Sequence, residues 1–252
     1  MNKGVIDMPV SMLAEFMNKT KLGNLEVSDR EKKVPRPPFE LDPEGTYETI
    51  VLPDPKAQKF ADVDVFDAIA KRMSVRDYSS LPMQLSELSF LLWCTQGVKR
   101  VIPNVVALRN VPSAGARNAF ETFLLVNNVE GLEPGLYKYV ALQHELIKLG
   151  TGNGMKDEFS AACDEQDQVR NCNVTFIWSA VPYRMTWAYS ERACRYLFID
   201  AGHVCQNLYL AAEKLGLGAC AIGHFEDDRL NGLLRIDGIN QFAIYLAAVG
   251  KK

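Results

Sequence analysis

The apolar positions of the chain fall into two kinds of pattern, which together predict a protein that mixes α-helices with β-strands. Apolar residues recur every three or four positions in several stretches, and this spacing is typical of helices with one buried face. The predicted helices span residues 1–20, 62–73, 85–96, 155–163, 187–215 and 227–234. Asp62 or Asp64 can cap the helix at 62–73, Ser86 can cap the helix at 85–96, and Gly97 can end the latter.

Other stretches are bulky or apolar over five to eight consecutive residues, which favours strands. The run VTFIWSAV at 174–181 is almost entirely apolar and predicts a strand that is buried on both faces. Residues 136–140 and 145–149 predict a hairpin, and residues 49–52 predict an edge strand. Further strands are predicted at 120–127, 219–223 and 242–249.

The longest predicted helix, 187–215, is apolar on most of its surface. One stripe includes Leu197, Val204 and Leu208, and a second stripe beside it includes Ile199. A helix of this kind is buried in a core or in an interface. Gly202 lies in its middle and costs about 1 kcal/mol relative to alanine, which predicts close approach by another backbone.

Residues 1–60 differ in composition from residues 61–252, and we expect an N-terminal arm followed by one domain. Residues 21–60 contain six prolines among interspersed charges, so this part cannot hold a regular helix. It is either an extended arm that wraps on the domain or a disordered tail. Phe39, Tyr47 and Phe60 favour the packed arm, because they would otherwise expose apolar area to water.

Composition and charge exclude several classes of protein. The chain has 252 residues, 48% hydrophobic and 23% charged, as in soluble globular proteins. A net charge of −3 without a dense basic run argues against nucleic-acid binding. No apolar run reaches the roughly 18 residues of a membrane span, and residues 1–19 lack the apolar core of a signal peptide.

The cysteines and histidines predict neither a metal site nor disulfides. None of the six cysteines stands in a C-x-x-C motif, and the three histidines lack zinc-ligand spacing. Reduced, buried thiols are typical of a cytoplasmic protein.

Two short stretches are candidates for binding. In the sequence RMSVRDY at 72–78, an extended backbone would place Arg72, Ser74 and Arg76 on one face, where two guanidinium groups and a hydroxyl suit an anion such as phosphate. A solvated basic turn is the alternative. The small residues Pro112, Ser113, Ala114 and Gly115 form a turn against which a flat ligand could lie, or a plain loop.

These motifs resemble the FMN-dependent nitroreductase superfamily, and within it the SagB-type branch, which includes azoline dehydrogenases. The resemblance covers residues 45–251 and rests on R-x-S-x-R-D-Y, P-S-A-G-A-R-N, G-L-Y-K-Y, R-Y-L-F-I-D-A-G-H-V-C-Q-N-L-Y-L-A-A-E-K-L-G-L-G and L-A-A-V-G. It implies an α+β fold with a central, mainly antiparallel sheet flanked by helices. It also implies an intertwined homodimer with FMN at the subunit interface.

The resemblance assigns roles to residues of this chain. Arg72, Ser74 and Arg76 would hold the FMN phosphate and ribityl chain, and Pro112, Ser113, Ala114 and Gly115 of the other subunit would pack along the isoalloxazine ring. Gln166 would place an amide near the flavin, the loop Ile222, Gly223 and His224 would approach the N5 edge, and Lys251 would reach the phosphate. Tyr189 is the candidate for proton donation or substrate contact, although a packing role is equally open.

The implied activity is transfer of a hydride from NADH or NADPH through FMN to a small electron-poor aromatic or quinone-like substrate. The alternatives are a dehydrogenase acting on a modified peptide and a flavin-binding protein without turnover. Azoline dehydrogenases usually carry a Lys-Tyr pair before the long helix, where this chain has Ala188-Tyr189. Many relatives also carry an acidic residue before the last strand, where this chain has Gln241.

Overall fold

A central antiparallel sheet organises the computed structural model, which describes residues 11–42, 45–57, 59–152 and 154–252. The strands are β1 Thr49–Val51, β2 Val98–Ile102, β3 Val106–Arg109, β4 Phe120–Val126, β5 Gly135–Val140, β6 Glu145–Thr151, β7 Val174–Ala180, β8 Leu217–Ile222 and β9 Phe242–Lys251. In the described residues, seven strands form the sheet in the order β1-β6-β5-β4-β7-β9-β8, while β2 and β3 form a separate hairpin. Every pairing between these strands is antiparallel.

Helices cover both faces of the sheet. They are α1 Met12–Lys19, α2 Val65–Lys71, α3 Leu85–Gln96, α4 Met155–Ala162, α5 Asp167–Asn171, α6 Tyr183–Tyr189, α7 Ala193–Lys214 and α8 Asp227–Leu234. Side chains alternate between the two faces along each strand, so Leu124 packs in the core beneath α3 and α7 while Phe123 packs in the core beneath α4 and α8. The predicted α+β class with a mainly antiparallel sheet flanked by helices is confirmed.

The strands β4 and β7 lie in the middle of the sheet and are buried along their whole length. This burial agrees with the almost entirely apolar sequence of β7, whereas β4 also buries the charged Glu121. At one edge of the sheet, β1 pairs with β6, as predicted for an edge strand. The candidate site begins at the opposite edge strand, β8.

Two predictions of local structure are wrong, and a third is not met within one protomer. The stretch 187–215 is not one helix, because Ser190 adopts a positive φ of 49° between α6 and α7. The N-cap of α3 is Gln84 rather than Ser86, and the Glu87 carboxylate accepts the Gln84 N–H at 2.8 Å. No backbone within the protomer approaches Gly202, since a Cβ there would have no neighbour within 4 Å.

The described residues of the N-terminal arm are packed on the domain. The Trp187 indole N–H donates to the Val34 carbonyl at 3.0 Å, and Arg195 donates to the Thr20 hydroxyl at 2.7 Å. Phe60 packs against Phe90 with ring centroids 4.9 Å apart. Within the helix predicted at 1–20, α1 spans Met12–Lys19, and residues 1–10 of that prediction lie outside the described residues.

A buried ion cluster fastens the arm to the sheet. Glu121 of β4 pairs with Arg184 of α6 and with Lys138 of β5, and all three side chains are less than a tenth exposed. The Leu41 N–H donates to the same Glu121 carboxylate at 3.1 Å. Burial would raise the pKa of Glu121, but the charges and hydrogen bonds of Arg184 and Lys138 outweigh it and lower the pKa.

None of the helices in the described ranges is long and apolar enough to cross a membrane. Each of the six cysteines is free. The part of the chain that the structure describes contains no group of three or more histidine, cysteine, aspartate or glutamate side chains arranged to hold a metal ion.

Candidate functional site

The stretch after α2 runs along the free edge of β8 in extended conformation. The C-cap residue Arg72 has φ −53° and ψ 129°. Ser74 forms a parallel bridge with Ala219 of β8, and the Val75 N–H donates to the Ala219 carbonyl at 2.9 Å. Because the backbone is extended here, residues 72, 74 and 76 project to one side and residues 73, 75 and 77 to the other.

Two glycines allow this stretch to lie so close to the sheet. A Cβ on Gly218 would lie 2.7 Å from the Val75 side chain, and a Cβ on Gly250 would lie 2.7 Å from the Tyr78 ring. The Tyr78 hydroxyl donates to the carbonyl of Val75 at 2.7 Å and to that of Ala248 at 3.2 Å. Val75 and Tyr78 therefore anchor the stretch and leave the intervening polar side chains at the surface.

Tyr209 of α7 joins the polar side chains of the stretch. The Arg72 guanidinium lies over the Tyr209 ring, 5.2 Å from its centroid, and the Ser74 Oγ lies 3.1 Å from the Tyr209 hydroxyl. That hydroxyl also accepts the Ala221 N–H at 2.8 Å. Arg72 is half-buried, while Ser74 and Arg76 are exposed.

No carboxylate among the described residues pairs with Arg72 or Arg76. Two guanidinium groups without counterions, on either side of a hydroxyl, form a donor set that fits a phosphate monoester. The residues present therefore fit the phosphate of FMN.

The small-residue turn is held by Asp200 of α7. The Ala114 N–H donates to both carboxylate oxygens, at 3.2 and 3.3 Å, and the Ser113 Oγ accepts the Asn118 N–H at 2.9 Å. Burial raises the pKa of Asp200, against the effect of hydrogen bonds from Ser113 and Ala114. These contacts fix the turn with Gly115 exposed at its tip.

Tyr189 lies directly against the tip of this turn. Gly115 has φ 56°, and a Cβ on it would lie 2.2 Å from the Tyr189 hydroxyl oxygen, so no larger residue fits there. The Tyr189 ring contacts the Tyr196 ring edge-on, with centroids 5.0 Å apart. The candidate tyrosine and the small-residue turn are thus one structural unit.

The loop after β8 is tied to α5 through Gln166. The Gln166 Nε2 donates to the His224 carbonyl at 2.9 Å and to the Cys163 carbonyl at 2.8 Å. Ile222 is buried at the end of β8, whereas Gly223 and His224 are exposed. The structure therefore brings together the amide and the loop that the sequence suggested separately.

Lys251 lies at the end of β9, with its ammonium engaged inside the protomer. Its Nζ lies 2.7 Å from the Glu87 carboxylate at the start of α3. The backbone N–H of Lys251 donates to the Asn173 Oδ1 at 2.8 Å. A contact from Lys251 to a phosphate stays a prediction.

The two candidate binding stretches contact different parts of α7. The turn is attached at Asp200 and the basic stretch at Tyr209, nine residues later. At a rise of 1.5 Å per residue, these attachment points are about 14 Å apart. Sequence reasoning missed both organising residues, although an acid inside an apolar helical stripe, such as Asp200, is a usable signal.

The sequence of the chain is similar to a family model and to two known proteins. Residues 69–251 match the model of the nitroreductase family. The chain is 34% identical over 208 residues to a protein of Methanocaldococcus jannaschii named as a nitroreductase, covering 82% of this chain and 98% of the relative. It is also 30% identical over 111 residues to the trifolitoxin-processing protein TfxB of Rhizobium leguminosarum bv. trifolii, covering 42% of this chain and 30% of that protein.

A solved structure has a similar fold. The crystal structure of a nitroreductase from Anabaena variabilis superimposes with a TM-score of 0.64 at 32% identity. The match covers 75% of this chain and 38% of the Anabaena chain.

Proposed function

The chain belongs to the nitroreductase family, and we propose that it is an FMN-dependent oxidoreductase that transfers a hydride from NADH or NADPH to a small electron-poor aromatic or quinone-like substrate. The chemistry that FMN supplies when bound is acceptance of a hydride and its donation to a second substrate. The protein's own contribution is to bind the cofactor, to orient it and to leave one face accessible.

The observation that carries the proposal is the pair of guanidinium groups on either side of the Ser74 hydroxyl, neither of which pairs with a carboxylate of the described residues. Arg72 and Arg76 would bind the FMN phosphate, and Ser74 would add a hydrogen bond. The stacking of Arg72 on Tyr209 restricts its guanidinium before any ligand binds, which lowers the entropy cost of binding. Lys251 would join this group by exchanging Glu87 for phosphate.

The small-residue turn would provide the flat wall for the ring. Pro112, Ser113, Ala114 and Gly115 present little side-chain bulk, and Asp200 holds the turn through the Ala114 N–H. The backbone from Ile222 to His224, held by Gln166, would contact the edge of the ring. The Tyr189 hydroxyl beside Gly115 would contact the substrate or give it a proton.

A homodimer would bring these parts into one site. Phe198 and Ile199 are 64% and 52% exposed on the face of α7 that also carries Gly202. If two copies of α7 pack antiparallel around Gly202, the N-terminal half of one helix, which holds the turn at Asp200, lies against the C-terminal half of the other, which holds the basic stretch at Tyr209. The turn of one protomer then faces the basic stretch of its partner, and Gly202 gains the close backbone neighbour that it lacks within one protomer.

A dehydrogenase acting on a modified peptide is the second candidate. It is favoured by the similarity to a protein named for trifolitoxin processing and by the tyrosine at 189. Ala188 in place of the lysine usual in azoline dehydrogenases weighs against it. A flavin-binding protein without turnover would use the same cofactor contacts.

The absorption spectrum of the purified protein under argon, before and after addition of NADH or NADPH, tests the proposal. We expect a flavin spectrum that is bleached by one of the nicotinamides and restored by a nitroaromatic or a quinone. Bound flavin that neither nicotinamide bleaches would exclude the leading function. A colourless protein that does not take up FMN would exclude all of the flavin functions.

A further inference from the structure

Three arginines lie near one another beside the tip of the small-residue turn, since the charge of Arg117 acts on Arg36 and the charge of Arg30 acts on Arg117. The Arg117 guanidinium lies over the Trp187 ring, 5.3 Å from its centroid, and its Nε donates to the Gly115 carbonyl at 3.0 Å. The Arg30 N–H donates to the Trp187 carbonyl at 2.8 Å. The chain reaches Arg36 two residues after Val34, whose carbonyl accepts the Trp187 indole N–H. The arm thus brings two arginines to a third that belongs to the domain.

In the described part of the chain, the two half-buried arginines of this cluster form no ion pair with a carboxylate. Among the described residues, neither Arg36 nor Arg117 pairs with an acid, although both are half-buried. The Arg36 guanidinium instead donates to the Val105 carbonyl and stacks on the Phe39 ring at 4.1 Å.

Three acids in this region accept hydrogen bonds from other groups. Glu31, next to Arg30 in the chain, accepts from the Ser28 N–H and hydroxyl. Asp29 accepts a hydrogen bond from the Tyr183 hydroxyl at 3.0 Å, and Asp200 accepts from Ala114. Burial, followed by the charges of Arg117 and Arg184, lowers the pKa of Arg36 to about 10. Like charges therefore remain close together in a partly desolvated place, an arrangement that an anionic ligand would stabilise.

We propose that Arg117, together with Arg30 and Arg36 of the arm, binds a carboxylate on the substrate, so that the enzyme selects anionic electron-poor aromatics over neutral ones. This inference rests on the proposed function, because it takes the turn at 112–115 as the wall of the reaction site. Arg117 is bonded to Gly115 of that wall, and Gly115 contacts Tyr189, so a carboxylate held by Arg117 leaves the aromatic part of the same molecule near both.

The residue type fits the role. The planar fork of a guanidinium binds a carboxylate through two parallel hydrogen bonds, and the stacking on Trp187 fixes the plane of the Arg117 fork. Half-burial strengthens such a pair relative to one in open water. The arm would then act in substrate selection as well as in packing.

Equilibrium dialysis of 4-nitrobenzoate and 4-nitrobenzamide against the oxidised protein tests this inference, because the two compounds have nearly the same shape and differ in charge. We expect the wild type to bind the benzoate about tenfold more tightly than the amide. Arg117→Gln should remove this preference by weakening benzoate binding about tenfold with little effect on the amide. Arg36→Gln should act in the same direction.

Arg229→Gln on α8 is the matched control, since Arg229 is an exposed arginine that donates to the Ala161 carbonyl on the other face of the sheet. It should keep the wild-type preference. If Arg117→Gln does not fold, the salt dependence of the wild type decides: benzoate binding must weaken from 50 to 500 mM NaCl while amide binding does not.

Failure of this inference and failure of the proposed function can be told apart. A flavoprotein that binds both compounds equally, or in which Arg117→Gln weakens both to the same extent, would overturn the anion site alone. A protein that takes up no flavin but prefers the benzoate through Arg117 would support the anion site and overturn the redox function.

Discussion

The hydroxyl of Tyr209 lies 3.1 Å from the Oγ of Ser74, across 135 residues of chain. The same hydroxyl accepts the Ala221 N–H at 2.8 Å, and the same ring supports the Arg72 guanidinium. One side chain of α7 therefore connects the basic stretch to the edge strand β8. The proposed phosphate site thus depends on a residue that need not touch the phosphate.

Removal of this hydroxyl should weaken FMN binding without abolishing it. Tyr209→Phe keeps the ring beneath Arg72 but leaves Ser74 without its partner, and we expect affinity for FMN to fall about five- to tenfold. Quenching of FMN fluorescence on binding measures the affinity. Tyr183→Phe is the control, because its hydroxyl donates to Asp29 of the arm and should not affect FMN. Equal affinity in wild type and Tyr209→Phe would remove Tyr209 from the phosphate site.

Loss of both unpaired arginines should release the cofactor. In Arg72→Ala/Arg76→Ala the charge-assisted bonds to the phosphate disappear, and we expect affinity to drop at least about a hundredfold. Gel filtration followed by absorption spectroscopy of the protein peak measures the retained flavin. Lys71→Ala removes an adjacent cation that Asp67 already neutralises at 2.9 Å, so it should retain FMN. A yellow double variant would rule out these arginines as the phosphate site.

The contact between Gly115 and Tyr189 predicts a non-additive pair of substitutions. Gly115→Ala should destabilise the protein by about 1–3 kcal/mol, because it adds strain at a positive φ and a clash with the Tyr189 hydroxyl. Tyr189→Phe removes the hydroxyl oxygen with which the new Cβ would clash, so it should recover part of that loss in the double variant. Urea unfolding of all four proteins gives the coupling. Simple additivity would show that the two side chains do not meet.

The ion cluster around Glu121 predicts a specific dependence of stability on pH. Because Arg184 and Lys138 lower the pKa of Glu121 in the folded protein, its stabilisation is complete above the unfolded pKa of about 4.3. That stabilisation is lost as the pH falls through the lower, folded pKa. Glu121→Gln leaves two buried cations without their carboxylate and should cost about 3–5 kcal/mol at pH 7.

Urea unfolding of wild type and Glu121→Gln at pH 7 and at pH 3 measures this effect. The difference between the two proteins should shrink at the lower pH. The control is Glu15→Gln, which removes an exposed pair with Lys19 and should leave the unfolding midpoint unchanged. A difference that is the same at both pH values would contradict the assignment of the pH effect to Glu121.

The sequence predicted most of the secondary structure where apolar patterns are long and regular. The run at 174–181 was predicted as a buried strand and is observed as β7, Val174–Ala180. The break between α6 and α7 could not be predicted, because it depends on a left-handed conformation at Ser190 that no residue type nearby requires. The hairpin of β2 and β3 was missed, since its first strand is largely exposed and carries no long apolar run.

The candidate site was only partly accessible from the sequence. The alternation of Arg72, Ser74 and Arg76 predicted their common face, since an extended backbone imposes it locally. The support from Tyr209 and Asp200 depends on how α7 packs against remote segments, which helical spacing does not determine. The arginines beside the tip of the small-residue turn were missed for the same reason: two come from the arm and one from the domain.

The separation of Asp200 and Tyr209 along α7 leads to a prediction about assembly. Each protomer offers one half-site at each of these residues, about 14 Å apart, and the proposed antiparallel pairing of α7 would complete an FMN site with the opposite half from a second copy. The exposed apolar side chains Phe198 and Ile199 would be buried between the two copies. Light scattering at micromolar concentration should therefore give twice the 28.2 kDa mass of one chain.

Ile199→Glu should break the dimer and release FMN together, because it places a charge on the α7 face beside Gly202. The matched control is Ile239→Glu, at a 78% exposed isoleucine in the loop before β9, and it should remain dimeric and yellow. Circular dichroism of the Ile199→Glu protein separates dissociation from unfolding. A mass near 28.2 kDa for the wild type with FMN bound would show that one protomer holds the cofactor alone. The antiparallel pairing of α7 would then be wrong.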